Sequence, residues 1–348
     1  MMTPILKFSV FCAFFRCRST RFAIPSAGER VAGFLSRRRL CRLFGLLFLA
    51  SLSWPAMAWN AAGHRLIASI AWQQLDPLSR SAIGRLLRQH PDYALWQARG
   101  RGDDDELNAF VESSTWADDI RQDPRFYSSG ETPTPTLAGF PDMQRRRHWH
   151  YVDWPIPASR VSTGLRSSDG VLDRQLAALI DTLGQRRAST AERVYALPWL
   201  IHLVGDAHQP LHAASRFSAD GVGDRGGNEL AIENPFVAPP DSASNLHHYW
   251  DSLPGAPWLR GEHLARKAET LLSRYPFVDR TGTPTDWLRE SWRIAEREAY
   301  PPDSDAAVPV ISAAFDARSR EIAGQRLVQA GQRLATLLRR LFGDGGRR

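Results

Sequence analysis

Trp199-Leu-Ile-His202-Leu-Val-Gly-Asp206-Ala-His208-Gln-Pro210-Leu-His212 is the stretch on which the reading of this chain turns. His202 and Asp206 stand four residues apart, so on a helix they share one face. Pro210 cannot continue a helix and should end this one. His212 follows just past the bend. Two imidazoles and a carboxylate converging at a helix end suit zinc, which takes nitrogen and oxygen donors at roughly 2.0–2.2 Å. A His–Asp pair at this spacing is by itself more often a core or surface hydrogen bond.

Helical periodicity extends in both directions from this stretch. The helix carrying it is expected over 190–208, with Pro198 in its first turns or kinking it. Upstream, helices are expected over 60–75, 79–90, 104–121 and 170–184, the last with Leu172, Leu176, Leu179, Ile180 and Leu183 on one face. Downstream they are expected over 245–252, 259–274, 284–299 and 308–342. Two stretches read as loops, 122–147 and 215–244, both rich in turn-forming residues. No run alternates as a strand would. One all-α domain from 59 to about 342 is the economical organisation.

The formal net charge of +7 suggests nucleic-acid binding, but its distribution says otherwise. Residues 1–58 contain nine Lys/Arg and one acidic residue, Glu29, so the remainder carries a net charge of −1. The basic character belongs to a leader, and no basic binding surface can be inferred beyond it. In that leader Arg37, Arg38, Arg39 and Arg42 flank an apolar run from Leu43 to Leu52. Ala56-Met57-Ala58 then offers the small-x-small pattern of a signal-peptide cleavage site. An uncleaved anchor is the alternative, although the run is short of the ~20 residues a spanning helix needs. All three cysteines, Cys12, Cys17 and Cys41, precede Ala58. A metal site in the rest must be built from His, Asp, Glu and backbone groups.

Four further clusters carry such groups. They are Trp59-Asn-Ala-Ala-Gly-His64, Trp116-Ala-Asp118-Asp119-Ile-Arg121, His148-Trp-His150-Tyr151-Val-Asp153 and the i, i+4 pair His247/Asp251. Each alone is weak; a lone His64 on an amphipathic helix reads as structural. Their joint occurrence carries more weight, because every His of the chain follows residue 58 and most fall in these few segments.

These segments resemble the motifs of the S1/P1 nuclease family, in the same order. The family's Trp-Ala-Asp-x-x-Arg appears at 116–121 and its His-aromatic-x-Asp at 150–153. Its His-x3-Asp-x-His-Gln-Pro-Leu-His is intact at 202–212. Its Gly-Gly-Asn loop appears as Gly226-Gly227-Asn228, and its Asn-Leu-His-x3-Asp at 245–251. Cleavage after Ala58 would expose Trp59, matching a family whose mature chain begins with a zinc-binding Trp.

The resemblance implies a single helical domain over 59–348, of the type shared by S1/P1 nucleases and zinc phospholipases C. It implies three Zn2+ per chain. One would be held by Asp118, His150, His202 and Asp206, and a second by His212, His247 and Asp251. The third would use Trp59 and His64, with Asp206 bridging. Asp118 would orient the attacking water and Arg121 would grip the phosphate. Tyr151, Asp153 and Asn228 would meet the substrate, and His208 would support the ligands from behind. The implied activity is hydrolysis of single-stranded DNA, RNA and nucleotides to 5′-phosphate products, with 3′-nucleotidase activity left open. A periplasmic or secreted monomer is expected, with no stable protein partner and no membrane attachment after leader removal. A zinc phospholipase C and a non-catalytic zinc-binding protein are the competing readings. Unlike many eukaryotic relatives, the chain after residue 58 has no cysteine, so core and metals must stabilise it.

Overall fold

In the computed structural model, residues 59–157, 170–218, 221–237, 243–275, 282–302, 304 and 308–343 are described. The expected leader and cleavage signal, and the three cysteines, lie outside the described residues. The order of elements is α1 (Ala61–Gln73), α2 (Pro77–Leu87), α3 (Tyr93–Arg99), α4 (Asp105–Ser113), α5 (Trp116–Asp119), β1 (Trp154–Pro157), α6 (Leu172–Gly184) and α7 (Thr190–Asp206). It continues with β2 (Ala214–Phe217), α8 (Leu246–Ser252), α9 (Gly261–Arg274), α10 (Pro284–Ile294) and α11 (Ala313–Phe342). The architecture is mostly helical, as expected.

The helix starts are chemically marked. Ser189 and Glu192 form a reciprocal capping box at the start of α7, and Thr283 and Asp286 form another at α10. Asn60 caps α1 by accepting from the amides of Ala62 and Gly63. Helix α11 lies along α1, and Gly331 sets how close it comes. A Cβ there would stand 2.5 Å from Ile70 Cγ2 and 3.0 Å from the Ile67 carbonyl. Leu66, Ile67, Ile70, Trp199, Leu200 and Leu334 are fully buried between α1, α7 and α11.

Four features depart from the expected pattern. Helix α3 was not anticipated, because Trp96 is its one buried residue and gives no periodicity. The expected helix 104–121 breaks into α4 and α5. The hydroxyls of Ser113, Ser114 and Thr115 donate to the carbonyls three residues back, at 2.8, 2.6 and 3.0 Å, which competes with the helical ladder. The expected helix 284–299 ends as a π-helical turn over Ala295–Ala299. Last, β1 and β2 pair in parallel, Trp154 opposite Ala214 through Pro157 opposite Phe217.

Candidate metal centre

Helix α7 delivers His202 and Asp206, both with no exposed surface. The break between α4 and α5 orients the first of them. The amides of Asp118 and Asp119 both bond to the Thr115 carbonyl, which leaves the Ser114 carbonyl outside the helical ladder. That carbonyl accepts from His202 Nδ1 at 2.7 Å, so Nε2 keeps its lone pair and faces Asp118 Oδ1 at 3.8 Å.

The parallel pair β1–β2 clips two more ligand-bearing loops together. Val152 N donates to the His212 carbonyl at 2.9 Å, and His212 Nδ1 donates to the His150 carbonyl at 2.6 Å. His247 is aimed the same way, its Nδ1 donating to the Gly226 carbonyl at 2.8 Å. Gly226 has φ 64°, and a Cβ there would stand 2.4 Å from the Leu211 carbonyl, so only glycine fits the turn. Asn60 N donates to the Asp251 carbonyl at 3.0 Å, which holds Trp59 and the start of α1 against the helix that carries Asp251.

The side chains so placed form three groups: His64 with His202 and Asp206; Asp118 with His150 and His202; His212 with His247 and Asp251. In each group the ligand atoms lie within 4.8 Å of one another, and every member is buried. Asp206 serves two directions. Its Oδ1 lies 3.4 Å from His64 Nε2, and its Oδ2 lies 3.0 Å from His150 Nδ1 and 3.3 Å from His202 Nε2. In the third group His212 Nε2 and His247 Nε2 are 3.2 Å apart, and His247 Nε2 is 3.4 Å from Asp251 Oδ2. A tetrahedral zinc with bonds of ~2.0–2.1 Å sets its ligands ~3.3–3.4 Å apart. These spacings therefore fit that ion, with Asp118 slightly wide.

Charge makes the same case. Asp118, Asp206 and Asp251 are buried together, with Arg121 alongside at 3.2 Å from Asp118 Oδ1. Burial pushes Asp206 up to about 6 and Asp251 well above the usual carboxylate range. Burial first, and then neighbouring cations, holds His64, His150 and His212 far below their usual value, which leaves them neutral. Asp118 Oδ1, Asp206 Oδ1 and both His64 nitrogens have no hydrogen-bond partner. His202 differs: burial lowers it, but the Asp206 and Asp118 carboxylates hold it above its usual value. Buried imidazoles and carboxyl groups short of partners are what a divalent cation completes.

A family model for S1/P1 nucleases matches residues 59–343, nearly all of the chain after residue 58. The chain belongs to the S1/P1 nuclease family. Endonuclease 1 of Arabidopsis thaliana is 27% identical, with 90% of this chain and 96% of that protein covered. Endonuclease 2 of the same plant is 24% identical over 82% and 91%. The family is metal-dependent, and this nuclease is accordingly a hydrolase of nucleic acids with several His/Asp clusters able to hold metal.

Its remaining expected site residues are placed as follows. Arg121 is buried beside Asp118, and Asp153 is buried one residue beyond Val152. Tyr151 is half-buried, and its carbonyl accepts from Leu172 N. Asn228 Nδ2 donates to the Arg225 carbonyl at 2.7 Å, closing the turn that carries Gly226. His208 is fully buried and belongs to none of the three groups; its Nδ1 donates to the Val204 carbonyl at 2.7 Å. Gln209, Arg326 and Arg333 surround the site's base; the sequence motif contains Gln209 but gives it no role, and it does not single out the two arginines. The available signal was the two arginines seven residues apart on the apolar face of α11.

Proposed function

We propose that this nuclease hydrolyses single-stranded DNA and RNA to 5′-phosphate products with three zinc ions per mature chain. The observation that carries the reading is the two-sided placement of Asp206, one oxygen toward His64 and the other toward His150 and His202. Asp118, His150, His202 and Asp206 would hold one ion, and His212, His247 and Asp251 another. His64, Asp206 and the α-amine and carbonyl of Trp59 would hold the third. That amine exists only if the chain is cut after Ala58, which ties metal loading to export into the periplasm or beyond. The bond from Asn60 N to the Asp251 carbonyl supports this, since it keeps residue 59 beside the clusters.

When bound, the ions supply Lewis acidity toward water and the phosphoryl oxygens. The chain's own groups do the rest. Asp118 orients the attacking water and takes its proton. Arg121 binds phosphate oxygens with its planar fork, and Asp118 holds that fork in place. Tyr151 stacks on a base and Asp153 hydrogen-bonds it, which requires a base free to leave its stack and so selects single strands. Asn228 offers its amide oxygen and its second amide hydrogen, the first being donated to the Arg225 carbonyl.

The test uses purified chain beginning at Trp59 with single-stranded DNA, RNA, duplex DNA and phosphatidylcholine, after chelation and after zinc restoration. Zinc-restored cleavage of the single strands, with phosphate on the 5′ ends, is the expected result. Cleavage of the lipid alone would move the chain to phospholipase chemistry. Zinc uptake without any cleavage would make it a binding protein.

A further inference from the structure

The segment Ala207-His208-Gln209 joins Asp206 to Pro210 and His212, and so spans two of the ligand groups. Its first two residues are gripped from outside. Ser291 Oγ, fully buried on α10, donates to the Ala207 carbonyl at 2.6 Å. Arg326 Nε on α11 donates to the His208 carbonyl at 3.2 Å. Arg333 Nη1, two turns further along α11, donates to His208 Nε2 at 3.0 Å. That bond agrees with the tautomer in which His208 Nδ1–H donates to the Val204 carbonyl. Gln209 then reaches across the centre, its Nε2 donating to Asp251 Oδ1 at 2.8 Å while its Oε1 accepts from Leu211 N at 2.5 Å.

The two arginines are themselves locked. Arg326 and Arg333 are 3% and 1% exposed. Arg333 forms a two-bond fork to Glu290 at 2.7 and 2.8 Å. Arg326 binds the same carboxylate at 2.9 Å, Ser291 Oγ at 2.7 Å and the Trp287 carbonyl at 3.2 Å, and it also donates to Gln329. A buried guanidinium without its carboxylate is strongly destabilising, so this arrangement has few alternatives of similar energy.

We propose that Arg326 and Arg333 are positioning residues that fix the separation between the Asp206-centred ligands and the His212/His247/Asp251 group, with Gln209 as the arm joining the two. The proposal rests on the metal reading given above. Neither arginine touches substrate; each acts through the 207–209 backbone or His208. A cluster that must bridge a phosphate needs its ions at a set spacing, and last-turn ligands on a free helix end would not hold one.

The experiment compares full-length processed wild type with Gln209→Met, Arg333→Met and Arg333→Lys. Co2+ titration followed by its electronic absorption, and X-ray absorption for the metal–metal vector, are the primary readouts. Thermal unfolding and steady-state kinetics accompany them. Gln209→Met and Arg333→Met are expected to weaken Co2+ binding at one group roughly 10–100-fold and to change the metal–metal vector. A lower kcat with little change in KM should go with it. Arg333→Lys, which keeps a donor to His208 but loses the fork, should recover part of the binding. Variants that lose thermal stability while keeping the wild-type cobalt spectrum, affinity and vector would overturn the positioning role alone. A wild type that takes up no Co2+ would overturn the metal reading, and this proposal with it.

Discussion

Gly205→Ala places one methyl group where two effects oppose each other. Gly205 stands in the last turn of α7, and alanine there gains at most about 1 kcal/mol of helix propensity. The added Cβ, however, would lie 2.8 Å from His64 Nδ1, 3.0 Å from His64 Cε1 and 3.2 Å from Ile67 Cδ1. The imidazole cannot simply retreat. It is stacked on His202 with ring centroids 3.8 Å apart and planes 12° from parallel, and both of its flanks are buried. Overpacking of this kind costs about 1–3 kcal/mol, so the metal-free protein should change by roughly 0–2 kcal/mol in the destabilising direction. The ring must move by several tenths of an ångström, whereas metal ligands tolerate about ±0.2 Å. Stability should therefore fall by no more than roughly 2 kcal/mol while one metal equivalent is lost or weakened at least roughly tenfold. Chelator competition for stoichiometry and affinity, with urea unfolding of the metal-free protein, separates the two effects. A variant that binds its full complement at wild-type affinity would refute the claim that His64 is a pinned ligand.

Three further outcomes are expected. Arg121→Ala should lower kcat roughly 10²–10³-fold with metal content unchanged, and unaltered turnover on single-stranded DNA would remove it from the phosphate site. A chain with extra residues before Trp59 should bind one metal fewer by elemental analysis; full loading would disprove the α-amine ligand. His90, buried among Trp96, Trp116 and Phe140, is held down to about 3 by burial, with Arg125 adding to the effect and Asp92 opposing it. Its folded value lies below the unfolded one, so the unfolded chain takes up the proton first. Stability then falls as pH drops from about 6.5 toward 3, by about 1.4 kcal/mol per unit for this one group. His90→Phe should remove that share of the slope in urea unfolding between pH 4 and 6, and equal slopes would show that His90 does not contribute.

The parts of this molecule that the sequence made legible are those with local spacing. His202/Asp206 and His247/Asp251 are i, i+4 pairs, and the large helices carry an apolar face every three or four residues. What stayed hidden depends on partners far along the chain. No local pattern says that the Ser114 carbonyl will orient His202, 88 residues away. None says that Arg333 will meet His208 across 125 residues. Strand β1 was illegible for another reason: Trp154-Pro-Ile-Pro carries two prolines and is too short to show alternation. Helix α3 buries a single side chain, so periodicity had nothing to register.

The clip between β1 and β2 has a consequence for how the molecule gives up its ions. Its hydrogen bonds run from the His150 loop to His212, so on the proposed reading one peeling event disturbs a ligand of two different metals. Coupling between binding sites is reciprocal. Loss of either ion therefore loosens the other, and a chelator should strip these two together rather than one after the other. The Val152 amide, bonded to the His212 carbonyl, is where that shared opening would register as hydrogen exchange.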